Sequence, residues 1–568
     1  MADTSHEHGA ALEAHEVGHG HSQPRPFTRL KQLLQLERRD IISVTLYAFG
    51  VALLSLASPI TVETLVNTVA FGILMGPVVV ISVILMTCLG LAAAIRAMQV
   101  YVIERLQQRL FVKVAADYAF RLPRLRLEAF DHRYGPELGN RFFDIINVQK
   151  SLATLLLDGL GLVVTSSVGL TVLAFYHPFL LGYDVALVLL ICFAILFLGW
   201  GGIETSIHES HTKYNVAAWL EELLRCQRAF KFAKGARIAF EKTDHLVGEY
   251  VTARRRHFRI VWRQTVFVLG LQVVASTVLL SMGGWLVINR QLTLGQLVAG
   301  EMIVTLVVAS VAKIGKYTET FYDLLTGAEK LGLLTELPLE RAGGEALINR
   351  GPGMIVRFHG INNISHRNLS APVNWEIASN ERVAIVGLPG SGKTTLFELL
   401  CGLREPGQGV VEVDGIELRE LSLEVLREQV ALVEKAEIFI GTVMENVRVG
   451  RQNLSPADVR EALQTVGLVD VVHGLPQGFD TNLTPSGSPL SASQALRLTI
   501  ARAIVDRPRL LILDGVLDAL DFRESPDLLS RLFDRSAPWT LVVSSINPEI
   551  VRLCDRLIGL PEYIQPNS

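Results

Sequence analysis

The stretch RVAIVGLPGSGKTTLFELLCGL (residues 382–403) joins three kinds of sequence without a spacer. RVAIVG is a short aliphatic run of the kind that forms a buried strand. Gly387, Leu388, Pro389, Gly390, Ser391, Gly392, Lys393, Thr394 and Thr395 make a glycine-rich loop, and TLFELLCGL reads as the helix after it. The glycines let successive backbone N–H groups converge, and the helix N-terminus adds partial positive charge. That combination cradles phosphate oxygens, with Lys393 on the terminal phosphates and Thr394 on Mg²⁺. Residues 354–568 are therefore expected to form an α/β P-loop nucleotide-binding domain.

A second strand supports this reading. RLLILD (509–514) is a run of large aliphatics that ends on an acid. Asp514 at a strand's C-terminal end would reach Mg²⁺, commonly through water.

The first half has another character. Half of the 568 residues are hydrophobic, only 19% are charged, and the mean hydropathy is +0.36. That is too apolar for an ordinary soluble protein. The net charge of −3 gives no electrostatic footprint for nucleic acid. Cys88, Cys192, Cys226, Cys401 and Cys554 show no metal or redox spacing. Long apolar runs accommodate six spanning helices, near 41–68, 74–104, 152–175, 179–203, 264–289 and 295–316. The segments 96–150 and 204–263 are rich in Arg and Lys, whereas the short turns between spans hold almost none. By the positive-inside rule both long segments and both termini are cytoplasmic. The long segments read as helical extensions that turn near 129–140 and 211–223, or as a soluble helical domain between spans.

Four acids fall in or beside these spans. Asp158 and Asp184 either mark a pathway or sit close to helix ends and simply reach water, the second being the favoured reading, and Glu63 lies between two apolar runs. Glu301 sits inside the last span, with no obvious basic partner, and is the candidate contact on a transport path. The first 26 residues lack the apolar core of a secretory signal and read as a cytoplasmic tail. His6, His8, His15, His19 and His21 there could chelate a transition metal or belong to a polar tail without ligand geometry. The expected organisation is a His-rich tail (1–27), a membrane domain (28–330), a linker (331–353) and the nucleotide-binding domain.

Six spans with long cytoplasmic extensions, followed by a P-loop domain, resemble a half-transporter of the ATP-binding-cassette (ABC) exporter type. Further stretches carry the resemblance: QLTLGQLVAG (291–300), GTVMENV (441–447), PLSASQALRLTIARAI (489–504) and DALD (518–521). It implies a multi-pass protein of the cytoplasmic membrane that binds ATP and Mg²⁺. It also implies a dimer, homo- or heteromeric, in which ATP sits between one subunit's P-loop and the other's signature motif. In this sequence the signature would be Leu490, Ser491, Ala492, Ser493 and Gln494, and the D-loop would carry Asp518 and Asp521.

Several positions depart from that pattern. Gly515 stands where the resemblance implies a glutamate that polarises water, and Ile546 where it implies a switch histidine. Glu434 takes the place of the Q-loop glutamine, and Ala492 and Ser493 replace the two signature glycines. No adenine-stacking aromatic is evident, Ser365 or His366 falling nearest. Phosphate-binding residues are thus kept while base and switch are lost. The expected protein is the degenerate half of a heterodimeric exporter, with little ATPase activity alone. A non-hydrolysing, ATP-sensing membrane scaffold is the alternative, and a metal-responsive regulator using the tail is a third. The cargo is not legible.

Overall fold

A computed structural model of the chain describes residues 26–560 apart from 36, 71–74, 132–138, 140, 233, 312, 348–350 and 365–366. The histidine cluster of the tail, and Ser365 and His366, lie outside the described residues. The chain divides into two compact units. The first comprises Met1–Pro123 and His132–Leu337, the second Arg124–Asp131 and Pro338–Ser568.

The first unit is helical. Its elements are α1 (Pro26–Gln35), α2 (Arg38–Ser55), α3 (Ala57–Ala70), α4 (Met75–Arg121), α5 (Asp144–Thr154), α6 (Leu160–Tyr176), α7 (Pro178–Leu196), α8 (Gly202–Arg225), α9 (Gln227–Lys231), α10 (Gly235–Ile288), α11 (Leu294–Val311) and α12 (Ile314–Thr335). At 54 residues, α10 is about 80 Å long at 1.5 Å per residue. A bilayer core is only about 30 Å thick, so its charged N-terminal half must leave the hydrocarbon. In α4, with 47 residues, it is the charged C-terminal half that must do so.

Among the described residues, five helices rather than six are long and apolar enough to cross a membrane. The last expected span is the shorter apolar stretch Leu294–Val307 of α11. A second departure concerns the span expected over 179–203. Its helix stops at Leu196, the chain turns through 197–201, and α8 begins at Gly202. Glycine causes the break. Gly201 has φ +81°, and a Cβ on Gly202 would lie 2.5 Å from the Tyr322 ring.

Close helix contacts elsewhere also depend on glycine. A Cβ at Gly295 would lie 2.7 Å from the backbone oxygen of Glu63, where α11 meets α3. Buried Leu173, Leu180, Leu187, Leu279, Leu286 and Ile303 belong to the apolar core formed by α6, α7, α10 and α11.

The second unit is α/β. Its strands are β1 (Val356–Ile364), β2 (Arg367–Val373), β3 (Glu376–Ile377), β4 (Arg382–Val386), β5 (Gln408–Val413), β6 (Ile416–Glu417), β7 (Val430–Val433), β8 (Gly441–Thr442), β9 (Asn482–Leu483), β10 (Leu510–Asp514), β11 (Thr540–Ser544) and β12 (Arg556–Gly559). The central sheet, in the order β12-β4-β11-β10-β7, is parallel throughout. An antiparallel sheet β2-β1-β5-β6 also takes in β3, which pairs with β1. Strands β4 and β10 are buried over most of their length, as their unbroken aliphatic runs require. The buried pair Arg509–Asp414, at 2.6 Å, joins the residue before β10 to the residue after β5.

Residues 124–131 lie between two helical stretches in sequence yet belong to the second unit. Leu125 forms a β-bridge with Leu339, and the Arg126 N–H donates to the Pro338 oxygen at 3.1 Å.

Gly295→Val is expected to destabilise the helical unit by about 1–3 kcal/mol, because the Glu63 backbone oxygen as well as the Asn67 side chain opposes the new methyl groups. Thermal unfolding of the detergent-purified chain measures this, and an unchanged midpoint would contradict the close α3–α11 approach.

Candidate nucleotide site

The parallel order of β4, β11 and β10 brings three strand ends to one edge of the sheet. The glycine-rich loop leaves β4 and enters α13 (Lys393–Leu400). Gly390 and Gly392 have φ +80° and +93°, and the loop's curvature depends on them. Lys393 Nζ donates to the backbone oxygens of Gly387 and Leu388 at 2.9 and 3.0 Å, which draws its ammonium across the loop. Ser391 is buried, and its hydroxyl has no hydrogen-bond partner among the described residues.

Asp514 ends β10. One carboxylate oxygen accepts from the Thr394 hydroxyl and the other from the Ser544 hydroxyl at the end of β11. The two residues expected to hold magnesium are therefore in direct contact. Ser544 was not legible as a site residue. Its only signal is its place at the end of a five-residue buried strand.

Gly515 follows with φ +68°, and a Cβ there would meet nothing within 4 Å. There is room for a side chain, but the backbone is left-handed, a region costly for residues other than glycine. Ile546 is 90% exposed. Its N–H donates to Asp518 at 2.9 Å, and the Ser545 hydroxyl donates to the other Asp518 oxygen at 2.5 Å. Asp518 thus ties the turn after β10 to the turn after β11. Asp521 accepts from the Arg523 N–H at 3.0 Å and is engaged locally.

Glu434 follows β7. Partial burial, then the charges of Glu398 and Asp514, raise its carboxyl above the usual glutamate range. An acid in this place adds negative charge beside a phosphate site.

The signature stretch forms the start of α14 (Ala492–Ile504), with Leu490 buried before it. Ser491 is the N-cap. Its hydroxyl accepts from the Gln494 N–H at 3.2 Å, and the Gln494 side chain accepts from the Ser491 N–H at 2.9 Å. Both polar signature side chains therefore make a capping box. Ser493 donates to Glu524 at 3.4 Å, and Glu524 in turn pairs with buried Arg497 at 2.6 Å.

A contact absent from the sequence reading lies behind the loop. Arg404 binds Asp131 through two nitrogens, at 2.7 and 2.6 Å, and Glu398 of α13 at 2.6 Å. The helix that starts at the P-loop is thus joined through one guanidinium to the segment 124–131. Nothing in the spacing of residues 273 positions apart could have signalled it.

Comparison with known proteins agrees with this architecture. Residues 371–517 match the ABC transporter family model. The chain is 30% identical to the uncharacterized ABC transporter ATP-binding protein YwjA of Bacillus subtilis (strain 168), over 49% of each chain. It is 23% identical to the lactococcin-A transport/processing ATP-binding protein LcnC of Lactococcus lactis subsp. lactis, over 88% of this chain and 70% of LcnC. It is 28% identical to the alpha-hemolysin translocation ATP-binding protein HlyB of Escherichia coli O157:H7, over 51% of this chain and 42% of HlyB. The chain thus spans about half the length of YwjA and of HlyB. A solved bacterial Atm1-family ABC exporter with ATP bound shares the fold, with TM-score 0.76 over 92% of this chain and 93% of that one, at 22% identity. The protein therefore has an ABC transporter domain preceded by a helical, membrane-spanning region. It is homologous to ABC exporters in which these two parts are fused.

Such a domain binds ATP, typically with Mg²⁺. The open concavity at Gly390, the unpaired Ser391 hydroxyl and the Thr394–Asp514 contact all suit that pair. Lys393→Ala is expected to weaken binding of a fluorescent ATP analogue at least about tenfold, since a hydrogen bond to a charged group contributes about 1.5–3 kcal/mol. Asp514→Asn should instead weaken binding mainly in the presence of Mg²⁺. Titrations with Mg²⁺ and with EDTA separate the two, and equal loss in both buffers for Asp514→Asn would contradict its place at the metal.

Proposed function

We propose that this chain is the catalytically degenerate half of a heterodimeric ABC exporter of the cytoplasmic membrane, with both termini cytoplasmic. One observation carries the reading: the chain keeps the phosphate and magnesium residues and replaces the water-activating group with a glycine in left-handed backbone. Here the turn after β10 has taken a conformation that disfavours a glutamate.

Lys393, the loop N–H groups, Thr394 and Asp514 would hold ATP and its magnesium. Bound there, ATP supplies a phosphate-dense bridge between this cassette and a partner's signature motif. Neither Gly515 nor Ile546 has a group that can orient or deprotonate water. Loss of a general base alone costs about 10²–10⁴-fold. In a homodimer both sites would combine this defect with the altered signature Leu490–Gln494. In a heterodimer with a complete partner, one site would keep the partner's base and switch and face this chain's Ser491 and Gln494. That site could turn over.

The Asp131–Arg404–Glu398 relay supports coupling of nucleotide occupancy to the membrane helices. Asp131 lies between α4 and α5 in the chain, and Glu398 lies about one and a half turns along α13 from Lys393.

Phosphate release by the chain alone, and after co-expression with a complete half-transporter, tests this reading. Alone, the chain should show turnover near background. Gly515→Glu should not restore it, because left-handed backbone costs a side chain about 1–2 kcal/mol and Ile546 still offers no polar group. Turnover typical of intact exporters from the unpartnered wild type would overturn the proposal. In the complex, Arg404→Ala should leave ATP binding intact and lower transport relative to ATP turnover, and equal loss of both would count against the relay.

A further inference from the structure

The structure revises the sequence reading of the intramembrane acids. Asp158 is partly exposed and also pairs with Arg96, at 2.8 Å. Glu63 accepts from the Tyr176 hydroxyl at 2.8 Å. Asp184 is not a solvated helix-end group: it is 5% exposed. It lies on the inner stripe of α7 with Leu180, Leu187 and Ala194. Neither carboxylate oxygen accepts a hydrogen bond among the described residues. Glu301, on α11, likewise has a buried oxygen without a partner.

Asp184 and Glu301 both lie within electrostatic reach of the Tyr183 hydroxyl. That hydroxyl donates to the Ala275 oxygen at 3.1 Å. The helices α6, α7 and α11 contain no Lys, Arg or His. A buried carboxylate without hydrogen bonds or counter-charge is too costly to persist in hydrocarbon, so this position calls for a cation or a proton.

Asp184 also lines a cavity of ≈540 Å³ between α6 and α7. Its other walls are mainly apolar, among them Leu170, Ala174, Leu181, Val185 and Val188. Small-molecule sites typically enclose about 300–1,000 Å³, with a few polar groups that fix orientation. The only other polar side chain in the wall, Thr171, donates to its own helix at the Ser167 oxygen, 2.7 Å away. No group of three or more His, Cys, Asp or Glu gathers anywhere among the described residues. A hard metal ion, which needs many oxygen ligands, is therefore poorly served.

We propose that the α6–α7 groove binds a lipophilic organic monocation, its apolar body against the groove walls and its charge on Asp184, with Glu301 adding to the negative field. That this cation is transported rests on the exporter reading above; that it binds does not.

The test uses the full chain in detergent without nucleotide. The probes are tetraphenylphosphonium and its isosteric anion tetraphenylborate, measured by equilibrium dialysis. Saturable binding of the cation, with the anion weaker by about tenfold or more, is the expected result. Asp184→Asn should remove most of the preference, leaving at most the small part due to Glu301, and Asp184→Glu should keep it. Equal binding of both ions by wild type, or a preference undiminished in Asp184→Asn, would overturn the proposal. The wild-type comparison decides even if Asp184→Asn does not fold. ATP binding measured on the same preparations separates failure of this site from failure of the nucleotide site.

Discussion

One carboxylate holds the nucleotide unit's working edge together. Asp514 accepts from Thr394 with one oxygen and from Ser544 with the other. It thereby joins the P-loop helix, β10 and β11 at the C-terminal edge of a parallel sheet. That edge is where doubly wound folds place their ligands, because successive loops converge there. A carboxylate bonded by two hydroxyls is fixed in orientation before a metal arrives. The strand order decides the rest: β4 brings the phosphate loop, β10 brings the acid, and β11 brings the turn that carries Ile546.

The same edge carries both departures on which the proposed loss of hydrolysis rests. Gly515 and Ile546 lie on the two turns that Asp518 ties together through Ser545 and the Ile546 N–H. The clamp is intact, but the side chains it presents are hydrogen and an aliphatic group. The capping box of Ser491 and Gln494 has the same character. It keeps the start of α14 in order, with Ala492 and Ser493 where the resemblance implies glycines.

Much of this was legible in the sequence, for physical reasons. A P-loop is a local motif, and its strand, loop and helix are contiguous, so 382–403 was enough to place it. The long apolar runs gave the membrane-spanning character directly. The helix break after Leu196 was harder to see, because LGWGG (198–202) sits in a run whose hydropathy is unbroken. Charge pairing across helices was not legible at all. Asp158 and Asp184 looked alike in sequence, yet one meets Arg96 and the other has no hydrogen-bond partner among the described residues. Segment 124–131 read as part of a membrane-domain loop, and only tertiary structure brings Asp131 to Arg404. The left-handed backbone at Gly515 was equally hidden. A glycine in the sequence gives the missing side chain but not the φ angle.

The identity of the nucleotide retained by the purified protein tests the central claim most directly. The chain alone is incubated with labelled Mg·ATP and freed of unbound nucleotide, and the bound fraction is resolved into di- and triphosphate. The account predicts that the label is recovered as ATP, and that Lys393→Ala abolishes its retention. Recovery of the bound label mainly as ADP would show that this edge activates water without Gly515 or Ile546, and would contradict it.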